Sequence, residues 1–154
     1  MSRQQARIDR PTFAPKFPRG EGEHLRFSGM EVLVRASAES TGGAFTVCEE
    51  INPIDVPRHV HHDRDELFYV LEGEHLFTVG DTRYAAGPGD LVFGPRGVPH
   101  AQQRVVPRVG RVLTLFAPAG FEGFFRELAA ADMRGKVNQA LLDGLAAQYG
   151  AAWV

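Results

Sequence analysis

Turn-forming residues divide this sequence at short intervals, and that spacing constrains its fold more than any other feature. Glycine occurs 17 times and proline 10 times among the 154 residues, above the combined share of roughly 12% in typical proteins. The predicted strands between these turns are Glu31–Arg35, Ala44–Glu49, Arg58–His62, Glu66–Leu71, His75–Val79, Leu91–Phe93, Val98–Gln103 and Arg111–Phe116. Short strands with this spacing indicate an all-β sandwich or barrel. No segment alternates strand with helix, which argues against a parallel doubly wound sheet.

The two ends of the sequence differ from this central region. The N-terminal segment is polar and interrupted by prolines, which is typical of a loosely attached arm. After Pro118 the apolar residues follow helical spacing, first from Phe121 to Leu128 and then from Val137 to Tyr149. The predicted division is an arm over 1–24, a barrel over 25–118 and a helical extension over 119–154. We expect the helices to cover an open face of the barrel or to contact a second subunit.

Charge and apolar composition exclude several classes of protein. Lys and Arg number 17 and Asp and Glu 19, so the net charge is −2, unlike that of a strongly basic nucleic-acid binder. The longest apolar stretches, Leu67–Leu71 and Val112–Ala117, fall far short of the roughly 20 residues that span a bilayer. The lone Cys48 cannot form an intramolecular disulfide and is expected to be a small buried hydrophobe. We expect a cytoplasmic protein with no nucleic-acid or membrane partner.

Three histidines and one glutamate are candidate ligands of a single metal ion. His59 and His61 lie two residues apart in a predicted strand, so they project from one face about 6.6 Å apart. Glu66 is an odd number of residues further on, but the Asp-Arg-Asp run at 63–65 favours a turn, after which Glu66 can face inward again. His100 follows a glycine- and proline-rich turn and opens another short strand. Imidazole and carboxylate ligands suit divalent transition metals.

The spacing of the first three candidates resembles the first motif of the cupins. That motif is Gly, five residues, His-x-His, three or four residues, Glu, six residues, Gly. Here His59-x-His61 is followed by four residues and Glu66, then by six residues and Gly73. Pro53 stands in place of the opening glycine.

The second cupin motif has its counterpart further along the chain. The family pattern is Gly, five residues, Pro-x-Gly, two residues, His, three residues, Asn. This sequence has Gly89, Pro95, Gly97 and His100 at those spacings, with Arg104 where asparagine is usual. The resemblance covers about residues 42–116. It implies a double-stranded β-helix, also called a jelly roll or cupin barrel, with the metal inside and often assembled as a homodimer.

The predicted ligand set also narrows the choice of metal. Four protein ligands saturate tetrahedral zinc, whereas a six-coordinate ion keeps two positions open. We expect one divalent transition metal per chain, with Fe2+, Ni2+ or Mn2+ favoured and Co2+, Cu2+ or Zn2+ as alternatives. The predicted ligands are His59, His61, Glu66 and His100. The predicted substrate pocket is lined by Phe68, Val70, Phe93, Gln102 and Phe116.

A cationic centre in an apolar pocket favours a weakly acidic organic oxyanion such as an enolate or phenolate. The sequence resembles flavonol (quercetin) dioxygenase-type cupins, which implies a metal-dependent dioxygenase using O2 on a small aromatic or enolic compound. In that interpretation Glu66 also relays a proton. Two alternatives remain: an isomerase, cyclase or decarboxylase that works without O2, and a non-catalytic cupin that binds a small molecule. His24, His62 and His75 are expected at the surface or rim.

Overall fold

The computed structural model describes residues 16–105 and 110–154, and strands dominate its regular structure. The elements in chain order are β1 (Glu23–Phe27), β2 (Met30–Ala36), α1 (Ala38–Thr41), β3 (Thr46–Ile51), β4 (Val56–His61), β5 (Asp65–Glu72), β6 (His75–Val79), β7 (Thr82–Ala86), β8 (Leu91–Gly94), β9 (His100–Arg104), β10 (Arg111–Ala117), α2 (Glu122–Met133), α3 (Gln139–Gln148) and β11 (Ala151–Trp153). Most of the predicted arm, residues 1–15, lies outside the described residues. Strand β1 begins at Glu23, inside the segment predicted as the arm.

The described strands form two antiparallel sheets. One sheet has the order β1-β2-β3-β10-β5-β8 and the other the order β11-β4-β9-β6-β7. Strand β10 lies between β3 and β5, and β9 lies between β4 and β6, because the chain repeatedly crosses from one sheet to the other. This arrangement confirms the predicted all-β double-stranded β-helix with C-terminal helices.

Three strands were not predicted, and each lacks a clear alternation of apolar residues. Strand β7 is exposed along almost its whole length and forms because the Gly80-Asp81 turn pairs it with β6. Strand β1 carries mostly exposed residues and pairs only with β2. Strand β11 has only three residues and pairs with β4, so it adds a strand to the extension that was predicted as helical.

Two apolar clusters occupy the interior. The smaller cluster fills the barrel between β5, β6, β7, β8 and β10 and consists of Phe68, Val70, Phe77, Ala86, Val92 and Val112. The larger cluster joins β2, β3 and β10 to the buried faces of α2 and α3. The helices therefore cover the barrel, as expected from their apolar stripes. Among the described residues, no helix is both long enough and apolar enough to cross a membrane.

Three expectations about single residues were correct and one was wrong. Cys48 is fully buried, and His24 and His62 are exposed, as expected. His75, expected at the surface or rim, is only 1% exposed. Its Nε2 donates a hydrogen bond of 3.1 Å to the carbonyl of Glu72, and the ring packs against Gly110. The prediction failed because a histidine at the start of a strand can face the barrel interior when a nearby carbonyl oxygen accepts a hydrogen bond from its ring.

Glu122, in the first turn of α2, connects the helical extension to the barrel. Its side chain is 2% exposed. The carboxylate accepts hydrogen bonds from the backbone N–H groups of Ala38 at 2.7 Å and Gly120 at 2.9 Å, and one from the hydroxyl of Thr46. One buried acceptor thus satisfies donors from three segments, which stabilises their relative positions.

We predict that Glu122→Gln lowers the free energy of unfolding by about 1–3 kcal/mol, because the amide nitrogen cannot accept a hydrogen bond and leaves a buried donor unpaired. Urea denaturation of the two proteins measures this difference. Glu39→Gln is the matched control, since the Glu39 side chain is 71% exposed and the change should stay within about 0.5 kcal/mol. Equal losses in the two variants would contradict the role given to Glu122.

Candidate metal centre

Strand pairing brings the three candidate histidines onto one wall of the barrel. In the register between β4 and β9, His59 lies directly opposite His100. His61 is two residues further along β4, so it shares their inward face. All three imidazoles therefore come from one sheet.

The fourth candidate ligand reaches this cluster from the other sheet. The turn predicted at 63–65 lies slightly earlier: the chain bends at 62–63, β5 already begins at Asp65, and Glu66 is its second residue, with a buried inward-facing side chain. Arg96 fixes the start of β5, because its side chain donates to Asp65 at 3.1 and 2.9 Å and its backbone N–H donates at 2.9 Å. These hydrogen bonds lower the pKa of Asp65 to about 2. The ion pair between Arg96 and Asp65 therefore connects the loop before β9 to the residue next to Glu66.

One carboxylate oxygen lies at the centre of the cluster. Glu66 Oε2 is 2.7 Å from His100 Nε2, 3.0 Å from His61 Nε2 and 3.8 Å from His59 Nε2. The His61, His100 and Glu66 side chains are nearly inaccessible to solvent, at 1%, 2% and 5% exposure, and His59 is 12% exposed. The structure thus brings together all four predicted ligands.

The outer nitrogens of two rings show that this donor set fits a metal ion. His59 Nδ1 lies 2.8 Å from the carbonyl oxygen of Pro57, and His100 Nδ1 lies 3.1 Å from that of Val98. A carbonyl oxygen only accepts, so each Nδ1 carries a hydrogen, and Nε2, on the side of Glu66, is the atom of each ring that would bind a metal ion. Electron-pair donors, all within 4.8 Å of one another, then converge on one point. Such an arrangement suits a divalent transition metal.

The electrostatics of the cluster favour an ionised carboxylate and shift its histidines in opposite directions. Burial by itself would raise the pKa of Glu66, but hydrogen bonds with the three histidines outweigh burial and hold the pKa well below its ordinary value. Burial lowers the pKa of His61, against the opposing effect of Glu66. These shifts favour an ionised Glu66 and a neutral His61, as metal coordination requires. Burial alone would lower the pKa of His100, but its hydrogen bond with Glu66 outweighs burial and raises that pKa, so metal binding must displace a proton there.

Close packing positions the His100 ring. A Cβ added to Gly94 would lie 3.1 Å from His100 Nδ1 and 3.2 Å from Cε1. Gly94 pairs with Glu66 in the register between β8 and β5. The absence of a side chain at position 94 therefore leaves room for the ring beside the ligand carboxylate.

A cavity of about 320 Å³ adjoins the cluster, with His59, His61 and Glu66 in its wall. Most of the remaining wall is apolar, and much of it comes from the C-terminal segment, including Phe121, Phe125, Leu142 and Trp153. Trp153 also packs edge-on against the ring of His59, with 5.7 Å between ring centroids. This volume suits a small organic molecule.

The cavity contains some of the predicted pocket residues and not others. Phe68, Gln102 and Phe116 line it. Val70 is fully buried in the smaller apolar cluster and does not line the cavity. Phe93 was wrongly placed: it pairs with Leu67 on the outer face of the sheet and is 54% exposed. Side chains alternate between the two faces of β8, and the buried Val92 points inward, so its neighbour Phe93 points outward.

One buried, cavity-lining residue was not among the predicted site residues, although the sequence pattern could have found it. Glu50 lines the cavity and is only 5% exposed. In β3, Thr46, Cys48 and Glu50 alternate with less buried neighbours. Since Cys48 was expected to be buried, the two-residue period of a strand would have placed Glu50 on the same inward face.

The chain matches a known protein family and is similar to curated proteins. Residues 47–114 match the family described as the Cupin domain. The chain is similar to quercetin 2,3-dioxygenase of Bacillus subtilis, at 34% identity over 84 residues. That alignment covers 53% of this chain but only 25% of the Bacillus enzyme.

Solved structures resemble the fold. KdgF from a Halomonas species superposes with a TM-score of 0.60 at 18% identity, covering 70% of this chain and 97% of that one. An RmlC-like cupin from Shewanella frigidimarina superposes with a TM-score of 0.59 at 21% identity, covering 73% and 98% of the two chains. At these identities the likeness concerns the fold alone.

We predict that His59→Ala and His100→Ala each sharply lower the metal content of the purified protein, because each removes one of four ligands. His62→Ala is the matched control: it removes a neighbouring histidine that is exposed and should leave the metal content unchanged. Elemental analysis by plasma mass spectrometry measures all three. Equal metal content in the three variants would refute the ligand assignment.

Proposed function

Because this chain belongs to the cupin superfamily, we propose that it is a metal-dependent dioxygenase acting on a small aromatic or enolic, flavonol-like compound. One observation carries the proposal: four ligand side chains converge at the wall of a largely apolar cavity. A six-coordinate ion held by these four residues would keep two positions free of protein ligands, as chemistry on two small molecules requires.

The ligand set favours one Fe2+, Ni2+ or Mn2+ ion per chain, with Co2+, Cu2+ or Zn2+ as alternatives. Three neutral imidazoles and one carboxylate give such a centre a net charge of about +1. When bound, the ion acts as a Lewis acid that lowers the pKa of a coordinated hydroxyl.

The protein's own residues bind the substrate, exclude water from the site and transfer a proton. Phe68, Phe116 and Phe121 in the cavity wall exclude water, which strengthens the attraction of an enolate or phenolate to the site. Glu66 relays the hydroxyl proton: its low pKa keeps the carboxylate ionised before the substrate binds, so it accepts the proton only transiently and readily returns it.

Two features support a weakly acidic substrate of low charge. Apart from histidines, Arg58 is the one basic side chain in the cavity wall among the described residues, and its guanidinium donates to the Gly80 carbonyl at 2.6 Å. The cavity wall therefore has few positive charges to neutralise the negative charge of a phosphate ester. Similarity to quercetin 2,3-dioxygenase of Bacillus subtilis, although over a quarter of its length, supports the flavonol-like class.

Oxygen uptake tests this proposal directly. The protein, loaded in turn with Fe2+, Mn2+, Co2+ and Ni2+, is assayed with flavonols, catechols and 1,3-diketones in an oxygen electrode, with substrate loss followed by chromatography. We expect O2 uptake matched by substrate loss for at least one metal and substrate pair. The uptake should fall to background in His59→Ala and persist in the control His62→Ala.

The other outcomes identify the remaining candidate functions. Substrate loss without O2 uptake would replace the proposal with an isomerase, cyclase or decarboxylase that uses the same centre as a Lewis acid. Binding without any turnover would leave a cupin that only binds a small molecule.

We further propose that the chain forms a homodimer through the outer face of β5 and β8. Tyr69 pairs with Leu91, and Leu67 with Phe93, on that face. Leu91 and Phe93 are 63% and 54% exposed, and Tyr69 is 36% exposed. Strand β8 is also the edge of its sheet. A contiguous apolar surface at a sheet edge favours association with a second copy.

We predict that Leu91→Asp and Phe93→Asp each convert a dimer to a monomer, because a charge would have to be buried in the interface. Sedimentation equilibrium measures the mass. Tyr84→Asp is the control, since Tyr84 is an exposed aromatic residue (47%) on β7 of the other sheet. A wild-type protein that sediments as a monomer would end the proposal.

A further inference from the structure

Two buried polar side chains in the cavity take no part in the candidate metal centre. Glu50 in β3 and Gln102 in β9 come from opposite sheets, are 5% and 3% exposed, and line the same cavity as His59, His61 and Glu66. Polar groups this deeply buried are costly unless they form hydrogen bonds.

These two side chains are only partly satisfied within the part of the chain that the structure describes. The hydroxyl of Thr114 donates to Glu50 Oε1 at 3.2 Å. Glu50 Oε2 and Gln102 Nε2 have no hydrogen-bond partner there. The surrounding space of about 320 Å³ exceeds by far the roughly 30 Å³ that one water molecule occupies. An organic ligand larger than water can therefore fit there and form hydrogen bonds with Glu50 Oε2 and Gln102 Nε2.

The environment of Glu50 indicates what kind of partner fits. Burial raises the pKa of Glu50 to about 7, and the negative charge of Glu66 adds to this, against the weaker opposing effects of the Thr114 hydroxyl and the nearby Gln102 amide. Near neutral pH the carboxyl is thus available as an uncharged O–H donor. The Gln102 amide offers N–H donors beside it, so the pair matches an acceptor oxygen.

We propose that Glu50 and Gln102 form a second binding point, the polar anchor, for an uncharged carbonyl or hydroxyl oxygen of the substrate. The inference builds on the proposed function, since it assigns another part of the same cavity. Gln102 lies two residues beyond His100 on the same face of β9, about 7 Å along the strand. The substrate therefore carries two oxygens: one for the metal centre and one, several ångströms away, for the polar anchor.

A matched pair of neutral probes tests the polar anchor without reference to metal or O2 chemistry. Acetophenone and α-methylstyrene have nearly the same shape, but only acetophenone has an acceptor oxygen. Their affinities for the full chain, as purified, are measured by NMR titration. We expect the ratio of the acetophenone affinity to that of α-methylstyrene to fall by about tenfold or more in the Glu50→Leu/Gln102→Leu double variant, since two hydrogen bonds are lost.

Single and conservative variants keep the test decisive if the double variant folds poorly. Glu50→Leu and Gln102→Leu should each lower the ratio by a smaller factor. Glu50→Gln, which keeps a donor, should stay within about threefold of the wild type. Met30→Leu is the control, because it changes an apolar residue of the same cavity and should leave the ratio unchanged.

The results separate failure of the polar anchor from failure of the proposed function. An unchanged ratio in the leucine variants, or binding of neither probe to the wild type, would overturn the polar anchor. Loss of bound metal in Glu50→Leu would overturn it too, since Glu50 would then act through the metal centre. Absence of O2 uptake with an intact probe ratio would remove the dioxygenase and leave the polar anchor standing.

Discussion

The approach of one carboxylate to three imidazoles across the barrel is the contact on which the rest of the site depends. Glu66 comes from one sheet and His59, His61 and His100 from the other, so the site exists only when both sheets are packed. A buried charge is costly unless its partners are held in place. The carbonyl contacts of the histidines and the Arg96–Asp65 bridge supply that restraint from outside the cluster.

Local spacing was sufficient to predict much of the fold and of the candidate metal centre. The two-residue period placed His59 and His61 on one face, and the turn chemistry at residues 63–65 explained how Glu66 returns to that face. His100 was placed by the turn before it and by resemblance to the cupin motif. These inferences worked because strand parity and turn propensity are local properties, which a sequence records directly.

The features that escaped prediction depend on contacts between distant residues. Strand β11 exists because β4 offers a free edge, which three residues after a helix do not reveal. Phe93 looked like a pocket residue, but the inward position of Val92 turned it outward. Glu50 followed the parity of Cys48, yet a charged residue in a strand is normally assigned to the solvent face. Its burial makes sense only with Thr114 and Gln102 in view.

The wall contributed by Phe121, Leu142 and Trp153 has a consequence for how such proteins diverge. The ligands lie within residues 47–114, the region matched by the family, whereas this wall lies beyond it. Mutations in the C-terminal segment can therefore reshape the chamber while the coordination sphere stays intact. Two proteins with the same motif can then accept different molecules, and the selectivity of each is encoded in the stretch that motif comparison ignores.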